Sequence, residues 1–225
     1  MTHTHDAPAA ASLAASARPP VPSWKLLLTL GGAGSFVGLA IVLIYIWTLP
    51  SIERYKSGVL REAIGEVLHG PARCDTLFLV NGALVARRPA GDAAEPIERV
   101  FLGYGANGTA VGYAIAATEV GFADPIEMLV GYEPASHTLL GLKILVSKET
   151  PGIADKIEKP GFLGRFKGLV APLLGTKEAR ASDRSAVMMI TGATISSRAV
   201  IRGINKAIDR WQPLLDAYDA QRGRN

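Results

Sequence analysis

Thr191, Gly192, Ala193, Thr194, Ile195 and Ser196 form the stretch of this chain best suited to chemistry. The small residues at 192 and 193 let a bulky group come close to the backbone. A helical pattern begins directly after them. A helix start offers unpaired N–H groups and the positive end of the helix dipole. Hydroxyls at Thr191, Thr194, Ser196 and Ser197 add hydrogen-bonding groups. The stretch therefore suits an anion, above all a phosphate, at a loop-to-helix junction. The plainer reading is an ordinary helix start capped by Ser196 or Ser197.

A second stretch, Ser147-Lys148-Glu149-Thr150-Pro151-Gly152 with Asp155-Lys156-Ile157 after it, reads alone as a Pro-Gly turn. Other reactive residues carry less. A single Cys, Cys74, excludes an intrachain disulfide and any zinc or iron–sulfur site built on several cysteines. It reads as a small buried residue. His69 and His137 lack partners at metal spacing, and His3 and His5 sit in a polar tail. Tyr104, Tyr113, Phe122 and Tyr132 have rings that could stack on a planar ligand, but core packing is the simpler role for each. No Ser/His/Asp ordering or Walker loop stands out. Gly103-Tyr104-Gly105-Ala106-Asn107-Gly108 reads as a loop.

The elements that must position these residues follow from composition and period. The chain has 225 residues and a formal net charge of +4, from 24 Lys/Arg and 20 Asp/Glu. The basic residues are scattered, which argues against nucleic-acid binding. Charged residues make up 20%, below the usual quarter, and this points to a membrane segment. Residues 26–49 hold no charge. As a helix they span about 36 Å, enough for a hydrocarbon core of roughly 30 Å. Trp24 and Lys25 stand at one end, Tyr45 and Trp47 at the other, as suits the two interfaces. The run is too long for a signal-peptide core, so residues 25–49 read as an uncleaved anchor ending before Pro50. Arg18 and Lys25 precede it, and Arg54, Lys56 and Arg61 follow, so positive charges do not set its orientation.

Residues 1–24 are poor in large apolar groups and read as a disordered tail. Residues 50–70 have helical spacing and read as an amphipathic connector up to Gly70-Pro71. Strands are expected at 76–80 and 83–87 around the Asn81-Gly82 hairpin signal, then at 110–118, 126–131 and 139–147. Beyond residue 152 the pattern is irregular, with some helical pieces, until an amphipathic helix over 197–218. Strands early and helices late make residues 71–225 an α+β domain on a mainly antiparallel sheet with a C-terminal helix.

The pattern at 191–196 resembles the flavin-attachment site of covalent-FMN-binding domains in membrane electron-transport complexes. Glu149-Thr150-Pro151-Gly152 resembles that family's E-T-P-G loop, and the run from Val111-Gly112-Tyr113 through Val130-Gly131 to Gly141-Leu142 resembles its strands. The likeness covers roughly residues 100–210 in the family's order. Together with the anchor, it is most similar to the G subunits of Rnf (Rsx) ion-translocating complexes. The C subunits of sodium-pumping NADH:quinone oxidoreductases share the layout.

This resemblance implies one FMN per chain, held by a phosphoester to Thr194 that a separate flavin transferase makes. It implies that Thr191, Gly192, Ala193, Ser196, Glu149, Thr150, Gly152 and Lys156 surround the flavin. It implies an electron-carrier subunit with partners in a multi-subunit translocase between ferredoxin and NAD, not a catalyst alone. It places the domain on the periplasmic side of the bacterial inner membrane. Met188 stands where the family's transferase-recognition pattern carries Asp, so a second reading is an assembly module of the same fold without flavin.

Overall fold

The computed structural model describes residues 22–87, 97–149, 152, 155–178 and 183–224. By contacts the chain divides into Met1–Glu53 and Arg54–Asn225.

In the first unit, helix α1 (Ser23–Val67) begins. One 18-residue window of it reaches a mean hydropathy of 2.2, and none of that window is buried. It is long and apolar enough to cross a membrane. The expected break at Pro50 is not seen: helix continues through that residue. Proline removes one i→i−4 hydrogen bond, and a single lost bond does not end this helix. The Thr48 hydroxyl donates to the carbonyls of Ile44 at 2.7 Å and Tyr45 at 3.1 Å, one turn back, while the carbonyl that Pro50 frees is that of residue 46. The expected tail lies, up to residue 21, outside the described residues.

In the second unit, α1 stops at Val67, and His69 and Gly70 take left-handed φ of 58° and 72°. The Gly70 N–H closes the end on the Gly65 carbonyl at 2.7 Å. Six antiparallel strands follow: β1 (Arg73–Val80), β2 (Ala83–Val85), β3 (Arg99–Tyr104), β4 (Ala110–Val120), β5 (Pro125–Glu133) and β6 (Thr138–Val146). Their spatial order is β2-β1-β3-β4-β5-β6. Asn81 and Gly82 both have positive φ, as the two-residue hairpin requires.

The period-2 alternation splits the strands between two apolar clusters. Leu102, Tyr113, Ile115, Met128, Val130 and Tyr132 face one side. Phe101, Ala114 and Leu129 face the other, where Ala63, Ile64, Val67 and Leu68 of the α1 end cover them. Paired Gly131 and Gly141 lie under Val67. A Cβ on Gly131 would sit 2.2 Å from the Val67 carbonyl oxygen, so only glycine admits the helix end there.

β3 was not expected from sequence. It is six residues long and runs into the glycine-rich segment, so the loop is confined to residues 105–108. Cys74 is exposed on β1, not buried. Tyr113 and Tyr132 are core residues as expected, whereas Phe122 is exposed. Past residue 152 come a 3-10 turn (Asp155–Glu158), the short helix α2 (Pro160–Leu163), another 3-10 turn (Gly164–Phe166), and a parallel ribbon of β7 (Leu174–Thr176) with β8 (Ala186–Met188). No strand was expected in this region. Helix α3 (Thr194–Arg222) ends the unit and lays Val200, Ile204, Ile208, Trp211 and Leu215 on the first sheet face.

Candidate functional site

The start of α3 is built by a short turn. The Ala193 N–H donates to the Ile190 carbonyl at 3.1 Å, and Gly192 takes a left-handed φ of 85° that favours glycine. Ala193 is the N-cap and supplies no side-chain bond to the first turn. The helix therefore starts earlier than expected, and neither Ser196 nor Ser197 caps it. Both serines are buried inside the first turn. The Ser197 hydroxyl donates to the Ala193 carbonyl at 2.8 Å and accepts from the Ile190 N–H at 3.1 Å. It stitches the turn to the helix.

Ser196 faces a different partner. Its hydroxyl donates to Glu149 Oε2 at 3.0 Å. The other oxygen, Oε1, accepts from the Phe122 N–H at 2.8 Å and from the Ala123 N–H at 3.3 Å. The Glu149 N–H donates to the Ser147 hydroxyl at 3.3 Å. Glu149 is only 6% exposed. One carboxylate thus holds together the end of the sheet, the β4–β5 turn and the start of α3.

The sequence-predicted residues sort accordingly. Thr191 and Gly192 are exposed, Ala193 is buried and Thr194 is half-buried on the first turn of α3. Among the described residues no hydrogen bond engages the Thr194 hydroxyl. Ser196 and Glu149 are bonded to each other beneath this surface. Gly152 has a positive φ of 79° and is exposed. Lys156 is exposed on the 3-10 turn, whose Ile157 is buried. Thr150 lies outside the described residues.

The sequence separated strands at 110–118 and 126–131 but did not link the turn between them to this site. Phe122 is 65% exposed, and its backbone is bonded to the same carboxylate that holds Ser196. Ile195, next to Ser196, is 52% exposed. Two large apolar side chains therefore stand in water beside an uncapped helix start.

This arrangement fits a flavin phosphate. The uncapped N–H groups suit the anion, Gly192 and Ala193 admit it, the Thr194 hydroxyl is available for a bond, and apolar surface stands near for a ring.

Residues 121–209 match the FMN-binding domain family. That stretch holds the whole of the site described above. The chain's likeness extends further, to the G subunit of the ion-translocating oxidoreductase complex of Methanosarcina acetivorans. The two are 28% identical over 186 residues, which is 82% of this chain and 92% of the relative. The G subunit of the Na⁺-translocating ferredoxin:NAD⁺ oxidoreductase complex of Acetobacterium woodii is 27% identical over 199 residues, 85% of this chain and 94% of that one. Among solved structures, NqrC of Shewanella oneidensis shares the fold, with a TM-score of 0.52 at 19% identity over 68% of this chain and 87% of that one. The match begins at Gly121, so the β4–β5 turn, Glu149 and the α3 start all lie inside it.

Further along α3 the domain is fastened by charge. Glu119, at the end of β4, takes Lys206 at 2.7 Å and Arg202 at 3.4 Å. The Lys206 hydrogen bond, with both positive charges, holds the Glu119 carboxyl below the usual carboxylate range, against the opposing effect of burial. The native state then binds this proton less readily than the unfolded chain does. The contribution is present above the unfolded carboxylate pKa of about 4.3 and is lost as pH falls through the lower native value. Glu119→Gln should therefore flatten the fall in denaturation midpoint that the wild-type chain shows between about pH 5 and about pH 3. Identical pH slopes for the two proteins would remove this role from Glu119.

Proposed function

We propose that this chain is a membrane-anchored flavoprotein subunit that carries FMN covalently on Thr194 and serves as an electron carrier in an Rnf-type ion-translocating complex. The observation that carries the reading is the half-buried Thr194 on the first turn of α3, its hydroxyl outside the hydrogen bonds that fix its neighbours. The match to the FMN-binding family and the likeness to G subunits support it.

Thr194 would hold the phosphate as an ester, with Thr191, Gly192 and Ala193 beside it at the helix start. A threonine hydroxyl is a weak nucleophile, so a separate flavin transferase is expected to make the bond. Thr150, Gly152 and Lys156 would lie on the same side by resemblance to the E-T-P-G loop. Exposed Phe122 and Ile195 give the ring apolar surface to cover. When bound, FMN supplies the redox chemistry, and the protein binds and orients it. The anchor fixes the domain beside the other subunits of the complex. It carries no charge between residues 26 and 49 to make an ion path, so ions would move through partners.

The chain co-expressed with a flavin transferase should give a fluorescent band on a denaturing gel. Thr194→Ala should abolish that fluorescence, while Thr194→Ser should keep it. A dark wild-type band with the mass of the bare polypeptide would instead favour an assembly module without flavin, the reading that Met188 raises. The resemblance also puts the domain on the periplasmic face of the inner membrane. Protease added to intact spheroplasts should then digest the domain, and full protection would reverse the orientation.

A further inference from the structure

Among the described residues the buried polar side chains are Glu149, Ser196 and Ser197, and all three meet at the start of α3. Burying a carboxylate is costly unless its oxygens are matched by donors. A plain Pro-Gly turn needs no such group. Here both oxygens are matched, from segments 26, 27 and 47 residues away in sequence. An ionised carboxylate only accepts, so it can take two N–H groups on one side and a hydroxyl on the other.

Gly121 shows how tightly the turn closes on this group. A Cβ there would lie 2.1 Å from Glu149 Oε1, 2.8 Å from Ile126 Cδ1 and 3.0 Å from the Asp124 carbonyl oxygen. The turn can reach the carboxylate only because residue 121 has no side chain. Ser196, which sequence alone offers as a phosphate donor, has its hydroxyl proton directed inward to Glu149. Thr194 is half-buried and Ile195 and Phe122 are exposed, each within two residues of a group the carboxylate holds.

We propose that Glu149 is a positioning residue: it acts through Ser196 and the 121–124 turn, not on the flavin, to hold Thr194 and Phe122 in one frame. This rests on the reading of Thr194 as the flavin anchor. The proposal separates Glu149→Gln from Glu149→Ala. In Glu149→Gln the amide oxygen can still accept from the Phe122 and Ala123 N–H groups. The amide nitrogen can donate to the Ser196 hydroxyl, which is able to accept. In Glu149→Ala all three donors lose their partner. A residue acting directly as a base or anionic ligand would be lost equally in both variants.

The test uses the full chain in membranes, with two readouts. The first is the flavinylated fraction after a fixed time with limiting transferase, read by in-gel fluorescence. The second is amide hydrogen exchange over residues 121–124 and 190–197 of the unflavinylated chain. Glu149→Ala should lower flavinylation about tenfold or more and speed exchange in both segments together, since small misplacements of a reacting group are costly. Glu149→Gln should stay within about threefold of wild type, the scale of one weakened hydrogen bond. Ser196→Ala, which removes a single bond, should fall between them and speed exchange mainly over 190–197. The proposal is overturned if Glu149→Gln is as poor as Glu149→Ala, or if Glu149→Ala leaves exchange in the two segments unchanged. A wild-type chain that takes up no flavin would overturn the preceding reading, and the exchange measurement would still decide the positioning role.

Discussion

The carboxylate of Glu149 is the joint on which the site depends. It lies out of water, so the segments that supply its donors cannot drift apart without leaving a charge unmatched in the interior. That penalty ties the segment just after β6 to the β4–β5 turn and to the first turn of α3. Ser197 adds a second stitch between the turn at Ile190 and the helix. The helix start is therefore fixed from below, while its outer N–H groups are left uncapped by any side chain. The proposed phosphate site draws on both properties. The backbone must be rigid, and its donors must be free.

The remainder of the second unit can be understood as support for that joint. The sheet is covered by α3 on one face and by the end of α1 on the other, and this makes its central strands a firm base. Glycines at 131 and 141 let the α1 end settle against the sheet, and Glu119 grips α3 through Lys206 and Arg202. At the far end of the helix, the Tyr113 hydroxyl donates to Asp219 at 2.6 Å. The long helix that carries Thr194 at its start is thus fastened along its length by apolar contact and by charge.

Much of this was legible in the residues. Asn81-Gly82 demanded a hairpin, alternation marked β4, β5 and β6, and the stripe from Val200 to Leu215 marked α3. These are local patterns, which a sequence carries directly. β3 escaped because Val100, Phe101 and Leu102 run on without alternation and the glycines at its end read as loop. β7 and β8 escaped because three-residue strands have no period at all. Pro50 misled because a single lost hydrogen bond need not end a helix. Cys74 misled because a small apolar residue on an outer strand position need not be buried. In the site, the hydroxyl-rich stretch at 191–196 was visible, and so was Glu149. Their bond was not, since it joins residues 47 apart. For the same reason Ser196 looked like a phosphate donor, and Phe122 looked like a core residue. Only the folded turn shows the first pointing inward and the second standing in water.

The central claim is that the phosphate of FMN is esterified to one side-chain oxygen. The most direct measurement is tandem mass spectrometry of tryptic peptides from protein purified out of its native membrane. The account predicts that the peptide of residues 185–198 carries the mass of FMN less one water, with the fragment ions placing it on Thr194. That peptide recovered without the added mass, or with the flavin on Thr191, Ser196 or Ser197, would contradict it.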